Sequence, residues 1–440
     1  MTRSRITVAV SLFAACALVL WIALAPLERA LVADSIEYLG LATNLARSGD
    51  FLSHYLAPAP ELYRTPAYPA LLALLGAPES TGRLRLVLLV QVGCVLAMAA
   101  LLFRATRPRP RLLPPLLLLT SPLVWIAAGS ILTELLFGFC LFLSARGIGV
   151  ARNRSSWLVS GLCLGAATLF RPVGLFLVPV GALLLWTLRA RLEISRRDAI
   201  VWLVAALFLP SLWTLHNGVR HGYWGLSKSA LSYASSVYGH APLSRGTPDM
   251  KTSLYDQTVD ANSTFIDILH GVREHPLDAV RVLASGLARV GLGLGEFTLR
   301  RIFAGDTYDR SGAALSPDLF TIVPTEDGLA FPPPDLQPRT ASKAAKAALL
   351  LWSALSTLAI YFLAATGAKQ ALRELRGLRS SRPPNAGALV ALAWSVTLLL
   401  TSAGPVANAR FRMPIVPLLL LAVSCRRAAP IHTPVREETP

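Results

Sequence analysis

A small set of ionisable residues borders or interrupts the apolar runs of this chain, and their types suggest a chemistry. Asp34 lies where the first apolar run ends, and Glu37 follows one helical turn later. Further on comes Tyr63-Arg64-Thr65-Pro66-Ala67-Tyr68-Pro69, in which a cation stands beside two prolines and two tyrosines. Glu134 sits inside SILTELLF, and a carboxylate at such a depth is costly and usually faces a cavity. Arg171 follows an apolar run at Phe170-Arg171-Pro172, and Arg410 and Arg412 occupy the last polar loop. Acids and arginines held in this way suit attack on a group carried by a phosphate. A carboxylate takes the proton of the attacking hydroxyl or amine, and a guanidinium grips the departing phosphate with two parallel hydrogen bonds. On this reading Asp34 and Glu134 are the catalytic acids, and Arg64, Arg171 and Arg410 hold the phosphate. Glu37, Tyr63, Tyr68, His216 and Asn217 are candidates for substrate contact. Each residue taken singly also has a plainer role. Asp34 could cap a helix, Arg64 could snorkel, and Tyr63 and Tyr68 could be interfacial aromatics. His216 and Asn217 sit at a helix exit.

The elements that must position these residues are membrane helices. The chain has 440 residues, 54% of them hydrophobic and 15% charged, with a mean hydropathy of +0.53. Ordinary soluble domains carry roughly 25% charged residues. The net charge of +17 could suggest a nucleic-acid partner, but the basic residues fall in short loops between apolar runs. That is the positive-inside pattern of a polytopic membrane protein, and it calls for no nucleic acid. The five cysteines lie in or at the ends of apolar runs, which speaks against a disulfide framework. CxxC, HExxH and GxGxxG are absent, so no cofactor is indicated and a divalent metal is left open.

Hydropathy predicts an all-α polytopic fold with about ten transmembrane helices. They run over Ile6 to Leu27, Leu84 to Phe103, Leu112 to Ala128, Ile131 to Ala145, Trp157 to Phe170, Val173 to Leu188, Ile200 to Leu215, Ala345 to Ala365, Gly387 to Ser402 and Met413 to Ser424. Met1 to Leu27 lacks a convincing cleavage site and reads as an uncleaved first helix. Residues 1–216 form an N-terminal membrane module whose first outer loop is 28–83. Residues 217–344 form a mixed extracytoplasmic domain between spans 7 and 8. Residues 345–425 close the membrane part, and 426–440 are a cytoplasmic tail. Of the 25 acids in the chain, 13 fall between Asn217 and Lys343, so charges of both signs mix there, as long outer segments tolerate. Within this stretch Pro276 to Phe303 has the spacing of one or two amphipathic helices. In this topology every Arg-rich short loop is cytoplasmic, whereas Asp34, Arg64, Glu134, Arg171, His216 and Arg410 face the other side.

Taken in order, these motifs resemble the GT-C glycosyltransferases of the protein O-mannosyltransferase and lipid A aminoarabinose transferase type. The likeness rests on Asp34 followed by Tyr38, Ala42 and Leu45, on Tyr63 to Pro69, and on Thr133-Glu134 opening a span. It continues through Phe170-Arg171-Pro172-Val173-Gly174, Pro210 with His216-Asn217, and Arg410-Phe411-Arg412-Met413-Pro414. The resemblance implies an inverting transfer of a sugar from a polyprenyl-phosphate donor, with Asp34 as base, Glu134 as second acid and Arg64 on the lipid phosphate. Two departures stand out. The large soluble part lies between the seventh and eighth spans, and the acid that usually follows the first is here Ser35.

The expectation is therefore an extracytoplasmic-face glycosyltransferase in a plasma or inner membrane. Its partners would be a polyprenyl-phosphate sugar, membrane lipids, and an acceptor that is a protein, a lipid or a glycan. An O-antigen ligase or polymerase is the nearest alternative and would work through His270 and Arg273. A lipid-linked sugar transporter or flippase is another, although it would need polar residues along a mid-membrane path.

Overall fold

The computed structural model describes residues 3–25, 27, 30–31, 33–52, 60–105, 112–151, 153–229, 273, 276–293, 323–325, 328–330, 342–376, 385–402 and 409–424. Helix α1 covers Arg3–Leu24 and is followed by α2, Ala33–Ser48, with Asp34 in its first turn. The N-terminal end of a helix favours an anion, because its free N–H groups and the helix dipole point there. Pro66 then precedes α3, Ala67–Leu74, and Pro69 lies in the first turn of that helix, where its missing N–H costs nothing. Eight residues reach about 12 Å, far short of the roughly 30 Å hydrocarbon core, so α3 cannot cross it. The chain turns at Gly76, which holds a left-handed φ of +62°, and α4 runs over Thr81–Ala105.

The expected span over 112–128 is not one helix. It breaks into α5, Leu113–Thr120, and α6, Pro122–Ala128. Pro122 has no N–H and disfavours helical geometry in the residue before it; Ser121 is accordingly extended. A break frees carbonyls that an apolar setting cannot satisfy. Two indoles cover them, Trp125 Nε1 donating to Leu119 O at 2.6 Å and Trp352 Nε1 to Thr120 O at 2.8 Å.

Helix α7, Glu134–Val150, packs on α8, Arg154–Phe170, which Asn153 caps by accepting from the Ser156 N–H. The approach is close because the contact residues are small. A Cβ on Gly147 would come within 2.9 Å of Ser160, and one on Gly161 within 2.4 Å of the Trp202 carbonyl on α11. Membrane helices rely on such small-residue seams in place of a hydrophobic driving force. After a tight turn at Pro172–Phe176 come α9, Leu177–Thr187, the short α10, Arg189–Leu192, and α11, Arg196–His221.

Of the 217–344 region the described residues hold α12, Pro276–Leu292, and an antiparallel pair, β1, Val323–Thr325, and β2, Gly328–Ala330. Residues 217–221 complete α11, 222–229 form the turn after it and 342–344 lead into the next helix; apart from these and residues 273 and 293, the remainder of the expected mixed domain lies outside the described residues. The chain continues with α13, Lys343–Arg376, α14, Ala386–Thr401, and α15, Ile415–Ser424. Trp394 of α14 stacks on Trp202 of α11 and donates its indole N–H to Leu177 O at 3.0 Å, joining three helices in one buried core.

Among the described residues three helices are long and apolar enough to cross a membrane: Thr81–Ala105, Arg196–His221 and Lys343–Leu372. Shorter apolar helices cover Ala9–Leu24, Pro172–Thr187, Ala386–Thr401 and Ile415–Ser424. The protein is a helical membrane protein.

Candidate active site

The site begins with two backbone anchors. The Ser35 hydroxyl, fully buried, donates to Ile131 O at 2.9 Å, and the Ile131 N–H donates to Ala30 O at 2.9 Å. The start of α2, with Asp34, is thereby tied to the 129–133 turn that leads into Glu134. This accounts for the serine beside Asp34: a carboxylate there has no proton to donate to a carbonyl.

The second anchor holds the segment before α3. The Glu61 N–H donates to Phe51 O at 3.0 Å, the Lys228 N–H to Leu62 O at 2.8 Å and the Ser227 hydroxyl to Tyr63 O at 2.6 Å. The Glu61 carboxylate in turn accepts from the N–H groups of Tyr63 and Arg64. Arg64 is thus delivered to α2 by a stretch whose main-chain groups are bonded on several sides.

Two ion-paired groups result. The Arg64 guanidinium donates through Nε to Glu37 Oε2 at 2.5 Å and through Nη2 to Asp34 Oδ1 at 3.3 Å. The side chains of Arg64, Asp34 and Glu37 keep 30%, 23% and 25% of their exposure, so the cluster opens to solvent. The second pair is deeper. Arg171 Nη1 lies 2.8 Å from Glu134 Oε1, with the carboxylate 3% and the arginine 25% exposed. Glu134 is the first residue of α7, where the dipole favours its charge, and the Arg171 guanidinium lies over the Phe411 ring at 5.0 Å.

Tyr38 lies against Arg64. Its ring faces the Arg64 guanidinium at 5.3 Å and meets Tyr68 edge-on at 5.2 Å. Burial pushes its phenol pKa up, and the charges it feels are Arg64, Asp34, Arg171 and Glu134 together. The same balance governs the neighbours. Burial raises the Glu37 carboxyl above its ordinary value against the pull of Arg64, with Asp34 and Glu61 adding repulsion. Burial also opposes the charge on Arg64, but Tyr38, Asp34 and Glu37 outweigh it and hold the guanidinium firmly protonated.

The cluster has one more carboxylate than guanidinium, and its arginines are engaged by acids. An incoming phosphate would compete for those same donors. Among the described residues no group of three His, Cys, Asp or Glu side chains is arranged to hold a metal.

The sequence candidates divide accordingly. Asp34, Glu37 and Arg64 form one ion-paired group, with Tyr63 beside Arg64 in the chain and 39% exposed, and Glu134 and Arg171 form another. Tyr68 does not lie at an interface: it is wholly buried, with its hydroxyl on Gln91, so it stands behind the site. Asn217 is also buried, and its amide donates to the carbonyls of Gly225 and Leu226, closing the turn after α11. His216 stacks on Trp213 at 4.8 Å and meets His221 edge-on, and among the described residues no contact joins it to either ion pair. The side chain of Arg410 lies outside the described residues. Its neighbour Arg412 is buried and donates to Gly291 O, Gly293 O and Thr357 Oγ1, which fastens the end of α12 to α13. Sequence reasoning passed over Gln91, although a glutamine inside the apolar run LVLLVQVGCVL was a visible signal.

No protein-family profile matches the chain. No curated protein matches it either. Among solved structures, the oligosaccharyltransferase AglB from Archaeoglobus fulgidus, in complex with an inhibitory peptide and a dolichol-phosphate, is similar over 95% of this chain and 50% of its own, at 13% identity and a TM-score of 0.50. The A. fulgidus oligosaccharyltransferase tethered to an acceptor peptide containing the NVT sequon is similar over 96% and 49%, at 14% identity and a TM-score of 0.50. ArnT from Cupriavidus metallidurans, bound to undecaprenyl phosphate, covers 96% of this chain and 77% of its own, at 15% identity and a TM-score of 0.42. The chain spans about half the length of the oligosaccharyltransferases. At this identity the likeness is one of fold: the chain shares the membrane architecture of the A. fulgidus oligosaccharyltransferase over about half of that protein's length.

Proposed function

We propose that this chain is a membrane glycosyltransferase that moves a sugar from a polyprenyl-phosphate donor to an acceptor at the extracytoplasmic face. The observation that carries the reading is the Arg64 guanidinium spread between Asp34 and Glu37 at a solvent-open rim. In this reading it joins a base on α2, a helix too short and too polar to be a span, to a phosphate-binding cation in the segment before α3. The AglB structure whose fold this chain shares was solved with a dolichol-phosphate, and that is consistent with a lipid-phosphate donor here.

In the proposed step Asp34 takes the proton of the acceptor hydroxyl or amine as that atom attacks the anomeric carbon from the side opposite the phosphate. The bond from the anomeric carbon to the phosphate oxygen breaks, the electron pair stays on the phosphate, and the configuration inverts. Arg64 leaves Glu37 to take up the charge on the departing phosphate, which is where electrostatic help lowers the barrier. Arg171, oriented by Glu134 and Phe411, is the second cation at the phosphate, and Arg410 is a third candidate. Tyr63 is the exposed side chain nearest Arg64 along the chain, and we assign it to substrate contact.

The same reading takes ten spans: α1, α4, the broken pair α5 and α6, α7, α8, 172–187, α11, α13, α14 and α15. It puts the cluster outside, in a plasma or inner membrane. The test is incubation of the purified protein in liposomes with polyprenyl phosphates carrying labelled sugars, in the presence of membrane extract as acceptor source. Label should leave the lipid and free polyprenyl phosphate should accumulate. Donors that stay intact across the panel while the protein binds them would overturn the assignment.

A further inference from the structure

We infer that Tyr68 and Gln91 form a positioning relay that sets where the Glu134–Arg171 pair stands relative to Asp34 and Arg64. This rests on the reading of the site given above. Gln91 lies in α4 and is wholly buried among Leu84, Leu88, Val92 and Val95. An amide at such a position is costly unless its bonds are made. Here they are. The Nε2 group donates to the carbonyls of Ala127, Ala128 and Ser130 at 3.3, 3.1 and 2.9 Å. Three carbonyl partners fix which end of the amide is the nitrogen, so Oε1 must face Tyr68, whose hydroxyl donates to it at 3.1 Å.

The carbonyls that Gln91 gathers belong to the end of α6 and the turn that opens α7 at Glu134. The Tyr68 ring lies edge-on against Tyr38, and Tyr38 faces Arg64. Tyr68 and Gln91 together therefore reach both halves of the site. The Ser35 bond to Ile131 O ties the same turn from the α2 side. Neither Tyr68 nor Gln91 is exposed, so neither meets substrate; they act through the two residues they hold.

A relay of this kind differs from a merely stabilising buried network in its kinetics. Displacing a catalytic group by a fraction of an ångström lowers turnover and leaves ground-state binding of the donor largely intact. The test is Tyr68→Phe, which keeps the ring and removes one hydroxyl, in the full chain reconstituted in liposomes with a panel of labelled polyprenyl-phosphate sugars and membrane vesicles supplying the acceptor. The expected result is a fall of about tenfold in kcat, the scale of one buried hydrogen bond left unmade, with KM for the donor within about twofold. Combined with Glu134→Asp, which already displaces the carboxylate, Tyr68→Phe should cost less than it does alone, because changes acting through one group are not additive. Hydrogen exchange of the peptide over 127–137 should quicken in Tyr68→Phe and in Gln91→Met, a readout that needs no turnover. Wild-type kcat in Tyr68→Phe, or losses that multiply in the double variant, would overturn the relay. A wild type that transfers nothing would defeat the glycosyltransferase reading instead, and unchanged exchange would then reject the relay by itself.

Discussion

Replacing Arg64 is the perturbation whose size the geometry defines best. Its guanidinium makes one bond at 2.5 Å and one at 3.3 Å to two carboxylates, and these are the donors a phosphate would take over. Losing a charged hydrogen bond to the phosphate costs about 1.5–3 kcal/mol. Removing the cation also leaves Asp34 and Glu37 facing an anionic donor. A unit charge at about 4 Å is worth about 4 kcal/mol at the effective dielectric near a protein surface, and the exposure of this rim cuts that to about half. Together the terms give roughly 3–5 kcal/mol, or about two to four orders of magnitude in kcat/KM at 1.36 kcal/mol per decade. Arg64→Lys keeps the charge and loses the fork, so it should recover part of this loss and stay about tenfold below wild type. The fold should be little affected, because the N–H of residue 64 remains bonded to Glu61. The assay is initial rate of label transfer at several donor concentrations, beside thermal unfolding of each variant. An Arg64→Ala variant within tenfold of wild type would refute the argument.

Other outcomes follow from the same contacts. Arg171→Leu strands the buried Glu134 carboxylate and should cost about 3 kcal/mol in unfolding stability, whereas Glu134→Leu with Arg171→Leu should restore most of it, since replacing a whole buried pair by apolar groups is often near neutral. Denaturant unfolding in detergent checks this, and a double variant as unstable as the single one would contradict it. Glu37 offers a pH test. Its folded carboxyl lies above its ordinary 4.5 because burial outweighs Arg64, so its charge weighs against the fold at neutral pH, and that penalty is relieved as pH falls and is gone below 4.5. Glu37→Gln should therefore match or exceed wild-type melting temperature at neutral pH, with the difference vanishing at pH 4; a greater loss at pH 7 than at pH 4 would reverse the sign.

Much of this was legible in the sequence, for reasons particular residues show. Asp34, Glu37 and Arg64 were readable because charge is expensive beside apolar runs, so any charge retained there stands out. Glu134 and Arg171 were readable as a deep acid and a helix-end cation, but not as partners, because the contact spans α7 and the turn after α8. The break at Ser121-Pro122 was in plain view as Pro122, yet hydropathy averages over a window and reports only apolarity. Tyr68 was misread for a related reason: an aromatic near a membrane surface usually faces the interface, and only the three-dimensional fold reveals that Gln91 waits behind it. Asn217 stood as a candidate for substrate contact at a helix exit, and its bonds to Gly225 and Leu226 are local turn chemistry.

The account stands on Asp34 acting as the base. The most direct measurement is single-turnover sugar transfer by Asp34→Asn, with donor occupancy matched to wild type by a parallel binding titration with labelled polyprenyl phosphate. Binding should stay within a few-fold of wild type, with no detectable transfer. Transfer at the wild-type rate in that variant would contradict it.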